Sequence, residues 1–134
     1  MHHFTHISAT TEDSPDFRRV LWTGKHSQLV IMDIPVGGEI GEEVHHVDQT
    51  LCFTKGIAKA VVEGEEKEVN PGDVVIVPAG NRHNFINIGS TNLLLYTVYA
   101  PAEHADGAVH HTKEQADELE EEGKDEPPKW AQQK

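Results

Sequence analysis

The sequence is poor in the features that would tie it to a polyanion or a bilayer. Of its 134 residues only 11 are Lys or Arg against 23 Asp or Glu, a formal net charge of −12. Nucleic acid and anionic membrane surfaces would both repel such a chain. No apolar run approaches the roughly 18–20 residues of a membrane-spanning helix. The start, Met1-His2-His3-Phe4-Thr5, lacks the basic-then-apolar plan of a secretory signal. A single cysteine, Cys52, cannot close an internal disulfide, which agrees with a reducing compartment. There is no internal repeat. These absences lead us to expect an acidic, cytoplasmic protein of one domain, since chains divide at about 100–200 residues per domain. Against this sparse background stand ten histidines.

Residues 1–16 are polar and end in Asp13-Ser14-Pro15-Asp16, which reads as an N-terminal arm. From Phe17 to about Ala100 the texture is β: Val20-Leu21-Trp22-Thr23, Leu29-Val30-Ile31-Met32, Leu51-Cys52-Phe53-Thr54, Ala60-Val61-Val62, Val74-Val75-Ile76-Val77 and Leu93 to Tyr99. Turn chemistry separates these runs, as in Pro35-Val36-Gly37-Gly38, Asn70-Pro71-Gly72-Asp73 and Pro78-Ala79-Gly80-Asn81. Short strands at intervals of about 8–12 residues, without a long helical period, predict an all-β sandwich or barrel of the jelly-roll class. After Pro101 the pattern changes. Thr112-Lys113-Glu114-Gln115 is a capping box opening a weakly apolar helix to about Glu122, which Gly123 and Pro127-Pro128 stop. The last dozen residues read as disordered. The division is therefore an arm (1–16), a β-barrel (17–111) and an acidic helix with a tail (112–134), the last carrying −4 of the charge.

The most specific pattern is Gly72-(x)5-Pro78-x-Gly80-(x)2-His83-(x)3-Asn87. It describes a turn, a buried strand, a second tight turn and a strand opening on histidine. Average Gly and Pro usage produces such a match by chance on the order of once in 10⁴–10⁵ chains of this length. Strand alternation places His83, Phe85 and Asn87 on one face. It likewise groups Glu43 with His45, and Gln49 with Leu51 and Phe53.

In this spacing the sequence resembles the second motif of the cupin superfamily. The first cupin motif has its counterpart in Gly37-(x)5-Glu43-x-His45-(x)3-Gln49-(x)6-Gly56. Glu43 stands where the family usually has a histidine, and Gln49 where it has glutamate. The resemblance runs from Phe17 to His111 and is closest to small single-domain, mannose-6-phosphate-isomerase-like cupins. It implies a double-stranded β-helix (jelly-roll) barrel, and a homodimer through sheet edges or exchanged strands from residues 17–34. It also implies one divalent transition metal held by Glu43, His45, Gln49 and His83. Two imidazoles, a carboxylate and an amide oxygen suit Fe, Mn, Ni, Co or Zn. The anionic ligand has moved position while its number has stayed at one. Gln49 is the weakest donor, with a role orienting another ligand as the alternative. His46 rivals His45 only if a bulge shifts the register.

The expected function is an enzyme acting on a small oxygenated metabolite, with the metal as Lewis acid and Glu43 as general base. Two reaction types fit: dioxygenase cleavage of an enol or diketone, or isomerisation or ring opening of a sugar-like substrate. Two histidines and a carboxylate favour the dioxygenase, because they make the facial triad of non-haem iron oxygenases. The alternatives are a metal-free barrel and a non-catalytic small-molecule-binding or sensing module. His2, His3 and His6 read as solvated. His104, His110 and His111 read as a structural wrap or lid over the barrel mouth. Cys52 reads as a small buried hydrophobe facing away from the cavity.

Overall fold

The computed structural model describes residues 1–131. Among the described residues ten antiparallel strands form two sheets. They are β1 (Arg18–Thr23), β2 (Gln28–Ile34), β3 (Glu43–Val44), β4 (Asp48–Lys55), β5 (Ala58–Val62), β6 (Glu65–Val69), β7 (Val74–Val77), β8 (Arg82–Asn87), β9 (Leu93–Ala100) and β10 (Val109–His110). The larger sheet runs β10-β1-β2-β9-β4-β7 and the smaller β3-β8-β5-β6. Their facing sides enclose the core of a jelly roll.

Period-two alternation decides what goes inside. Leu51 and Phe53 of β4, Phe85 of β8, and Leu93, Leu95 and Tyr99 of β9 are all buried in one cluster. Phe53 and Phe85 meet across the sheets with ring centroids 5.6 Å apart. Burying an aromatic side chain of this kind contributes about 1.5–3 kcal/mol. Strand β6, Glu-Glu-Lys-Glu-Val, breaks the apolar pattern because it is the outer strand of the small sheet and only Val69 turns inward. That polarity hid it from a hydrophobicity reading. The expected turn at Asn70-Pro71-Gly72 is present, with Gly72 at φ 94. Gly56, the last glycine of the first motif, has φ 87, and a Cβ there would lie 2.8 Å from the Asn92 carbonyl oxygen. Close passage beneath the β8–β9 connection is what requires glycine at this position.

Both ends of the chain are more structured than their composition suggests. Within the arm, Ile7–Asp13 forms helix α1 against β9 and β2. Helix α2 (Lys113–Glu121) starts where the capping box predicts, Thr112 Oγ1 accepting from Gln115 N at 3.1 Å. The expectation of a disordered tail fails for residues 123–131. Asp125 is buried against the barrel, and a 3₁₀ turn, Lys129–Ala131, buries Ala131. One buried carboxylate with specific donors offsets a composition that otherwise favours solvation. For residues 132–134 the same expectation lies outside the described residues. Among the described residues no helix is long and apolar enough to cross a membrane.

Candidate metal centre

At one end of the barrel Glu43, His45 and His83 come together, and the fourth residue singled out from sequence, Gln49, is buried in the facing sheet. Glu43 and His83 are direct cross-strand partners in the small sheet, while Gln49 lies opposite Tyr99 in the large one. The two sequence motifs are tied together by backbone. Gly80 N donates to the His45 carbonyl at 2.7 Å, and Ala79 N donates to Asp48 Oδ1 at 2.9 Å. The tight turn of the second motif thus fixes the loop that carries His45. His45 is buried and His46 exposed, so His45 keeps the inner position that alternation assigns it.

Each donor is held by its far atom. His83 Nδ1 donates to the Asn81 carbonyl at 2.9 Å, which leaves Nε2 as the basic nitrogen. Burial, with the neighbouring His45, holds the His83 pKa below its usual value, so the ring is neutral. For Gln49 a chain of hydrogen bonds fixes the amide. Thr97 Oγ1 donates to the Thr50 carbonyl at 2.8 Å, so it can only accept from Gln49 Nε2, at 3.1 Å. Gln49 Oε1 is then a buried acceptor with no hydrogen-bond partner among the described residues. An unpartnered buried acceptor costs about 1–3 kcal/mol.

His45 sits between two carboxylates, Nε2 at 3.2 Å from Glu43 Oε2 and Nδ1 at 3.0 Å from Glu103 Oε2. Burial alone would lower its pKa, but the Glu103 hydrogen bond and the charges of Glu103 and Glu43 outweigh it and raise the value. Sequence reasoning missed Glu103. It follows β9 in a loop with no periodicity, and the only signal was its place beside His104 in the segment resembling cupins. Its backbone is anchored, since Glu103 N and His104 N both donate to Gln28 Oε1, at 3.1 and 3.0 Å.

These donors suit a first-row divalent ion. Ligand bonds of about 2.0–2.2 Å place neighbouring donor atoms roughly 3–3.5 Å apart, as Glu43 Oε2 and His45 Nε2 already are. A carboxylate on the far nitrogen of a ligating histidine is the usual support for such a site. Among the described residues, however, no three His, Cys, Asp or Glu side chains stand as a ready-made chelate. The His45 and His83 ring centroids are 4.9 Å apart, and closing the set needs side-chain adjustment together with Gln49.

The remaining histidines divide. His2, His3 and His6 are exposed. His104 and His110 are buried and join the wrap: His104 Nδ1 donates to Asp125 Oδ2 at 2.7 Å, and Arg18 Nη1 lies 3.3 Å from His110 Nδ1. Burial lowers the His104 pKa to about 4. Phe17, Phe53, Phe85 and Tyr99 belong to the buried core, and the half-buried Tyr96 does not. Cys52 is half-buried on the outer face of β4.

Comparison with known proteins agrees with this architecture. The pattern of the family described as Cupin domain matches residues 30–99. YrkC of Bacillus subtilis (strain 168) is 41% identical over 119 residues, covering 82% of this chain and 63% of YrkC. The chain therefore spans less than two thirds of that relative's length. The crystal structure of BH2720 from Bacillus halodurans superposes with a TM-score of 0.85 at 37% identity, covering 88% of this chain and 95% of that one. KdgF from a Halomonas species shares the fold at 20% identity and TM-score 0.61, over 64% of this chain and 78% of that one.

Proposed function

The chain belongs to the cupin family, and from that footing we propose that it is a metal-dependent enzyme acting on a small oxygenated metabolite, with Glu43, His45, Gln49 and His83 holding one divalent transition-metal ion. The observation that carries this is Gln49 Oε1, a buried acceptor left without a partner by hydrogen bonds that fix the rest of its amide. A bound ion supplies a Lewis acid that polarises a substrate oxygen.

The chain's own residues do the rest. Glu43 lines the cavity outside the barrel mouth and is only partly buried, so its carboxylate has room to swing off the ion and accept a proton from the substrate. Neutral His83 keeps a basic Nε2, and Glu103 orients His45. Tyr99, buried against the His45 ring edge at 5.8 Å, excludes water from that side; its burial raises the phenol pKa, keeping the hydroxyl protonated. Oxygen-dependent cleavage of an enol or diketone is the preferred reaction, because two imidazoles and a carboxylate make a facial triad. Isomerisation of a sugar-like substrate is the other reaction type. The implied homodimer belongs to the same proposal, and the outer strand β7, with Ile76 64% exposed, supports it.

The absence of a ready-made triad among the described residues favours a second reading, a non-catalytic binding module. Oxygen uptake by iron-loaded protein with β-diketones and enediols separates the two. Turnover that Glu43→Gln abolishes supports the enzyme. Ligand-induced stabilisation without turnover supports the binder.

A further inference from the structure

Among the described residues the two sheets end in four outer strands, and three of them are guarded against pairing with another chain. β3 and β10 are two residues long, and β6 carries a charge at each of Glu65, Glu66, Lys67 and Glu68. Short strands and charged side chains are the usual devices that blunt a sheet edge. β7 lacks the charges. Its residues, Val74-Val75-Ile76-Val77, are all β-branched and apolar, and Val74 and Ile76 are 57% and 64% exposed.

The register shows what this edge offers. Gly72 N donates to the Phe53 carbonyl at 2.8 Å and Phe53 N to the Asp73 carbonyl at 3.0 Å, a glycine bulge with Gly72 at φ 94 that opens the strand. Beyond it Val75 lies opposite Leu51 and Val77 opposite Gln49. Hydrogen-bonding direction alternates along an antiparallel strand. Asp73, Val75 and Val77 therefore bond toward β4, while the N–H and C=O of Val74 and Ile76 point outward from the sheet edge. Among the described residues no strand pairs with them. The side chains of the same two residues stand on the outer face, because Val77 is buried and Val75 packs against the core. Val74 and Ile76 thus present open backbone and bare apolar side chains together.

We infer that β7 pairs antiparallel with β7 of a second copy of this chain, about a two-fold axis at Val75. In that register Val74 exchanges N–H···O bonds with the partner's Ile76, and Ile76 does the same with the partner's Val74. The exposed Val74 side chain then covers the partner's Ile76 on the outer face. The segment is self-complementary, which is why a second copy fits it: each bare apolar position meets another, and Asp73 falls opposite the partner's Val77, at the far end of the pairing from the partner's Asp73. One sheet then runs through both subunits, with Gln49 a single strand from the join. The inference deepens the homodimer included in the functional proposal by assigning its contact, and rests on it for the partner being a second copy.

The test follows the full-length chain by sedimentation velocity over a concentration series. Wild type should pass from monomer to dimer as concentration rises. I76K and V74K each place a charge at an exposed position of the edge, so both should melt like wild type while raising the dissociation constant roughly a hundredfold or more. Register is read by cysteine linking in a C52S background. Val75 and the partner's Val75 form a non-hydrogen-bonded pair with Cα atoms about 4.5 Å apart, within disulfide reach, so V75C should link two chains under mild oxidation. I76C should not, because the partner's Ile76 lies beyond about 7 Å. A wild type that stays monomeric overturns the inference together with the homodimer. A dimer untouched by I76K and V74K overturns the inference alone and leaves another surface, such as exchanged strands from residues 17–34, to join the subunits. Linking at position 76 in place of 75 overturns the register. Metal content of the same samples keeps the metal centre apart: a monomer carrying its ion leaves that centre standing, and a dimer without one leaves the edge pairing standing.

Discussion

Replacing Asp125 by Ala should unfasten the C-terminal segment from the barrel. The carboxylate accepts from His104 Nδ1 at 2.7 Å and from Ala105 N at 3.0 Å, and His110 Nε2 lies 3.6 Å away. Hydrogen bonds to a charged group contribute about 1.5–3 kcal/mol each, and a buried donor left unpaired adds a penalty of about 1–3 kcal/mol. Some of that loss is regained when the segment releases and the donors meet water, so a net cost of about 2–4 kcal/mol follows. For a chain of this size that lowers Tm by roughly 8–15 °C.

The same change alters the pH dependence. In wild type, burial holds the His104 pKa down to about 4, below its ordinary value of about 6.5 in the unfolded chain. Between those values the unfolded state binds a proton that the folded state refuses. Stability is therefore complete above the ordinary pKa and falls as pH drops toward 4, by up to about 3 kcal/mol. The Asp125 pKa is lowered, because the His104 hydrogen bond and charge outweigh burial, so its contribution is lost in the same direction at still lower pH. Thermal melts from pH 7.5 to 4.5 should show this slope in wild type. In D125A, where His104 reaches water, the slope should flatten, with faster amide exchange over residues 122–131. A D125A protein that melts within about 1 kcal/mol of wild type, with its C-terminal amides still protected, would refute the reasoning.

Three further substitutions probe the site and its frame. Gln49→Leu removes the unpartnered Oε1, so the metal-free protein should melt at or above the wild-type temperature while losing most of the stabilisation by added Zn²⁺ or Fe²⁺; undiminished metal stabilisation would make Gln49 a bystander. Glu103→Gln keeps an acceptor near His45 Nδ1 but removes its charge, and metal affinity by calorimetry should fall roughly 10–100-fold; an unchanged affinity would deny Glu103 its orienting role. Gly56→Ala, at φ 87 with a Cβ 2.8 Å from the Asn92 oxygen, should cost about 2 kcal/mol or more by urea unfolding, and a neutral result would show that the β8–β9 connection yields freely.

The site was legible where regular structure carries it. Alternation grouped Glu43 with His45, Gln49 with Leu51 and Phe53, and His83 with Phe85 and Asn87, while the resemblance to the cupin motifs singled out which of these faces carry candidate ligands. Glu103 and Asp125 escaped for the same physical reason in reverse. Both lie in irregular segments, where no period ties a residue to a face and only the folded contacts reveal burial. Asp125 was further masked by an acidic tail whose composition reads as solvated. Helix α1, only seven residues with two threonines, has little intrinsic helicity and is held by packing against β9 and β2.

The central claim is that Glu43, His45, Gln49 and His83 form a metal centre, and metal stoichiometry tests it most directly. Protein purified without an affinity tag, then dialysed against trace Fe²⁺, Mn²⁺ or Zn²⁺ and measured by elemental mass spectrometry, should carry close to one ion per chain. His83→Ala and Glu43→Ala should carry almost none while remaining folded by circular dichroism. Wild-type protein that is folded yet binds none of these ions, or variants that retain the wild-type load, would contradict it.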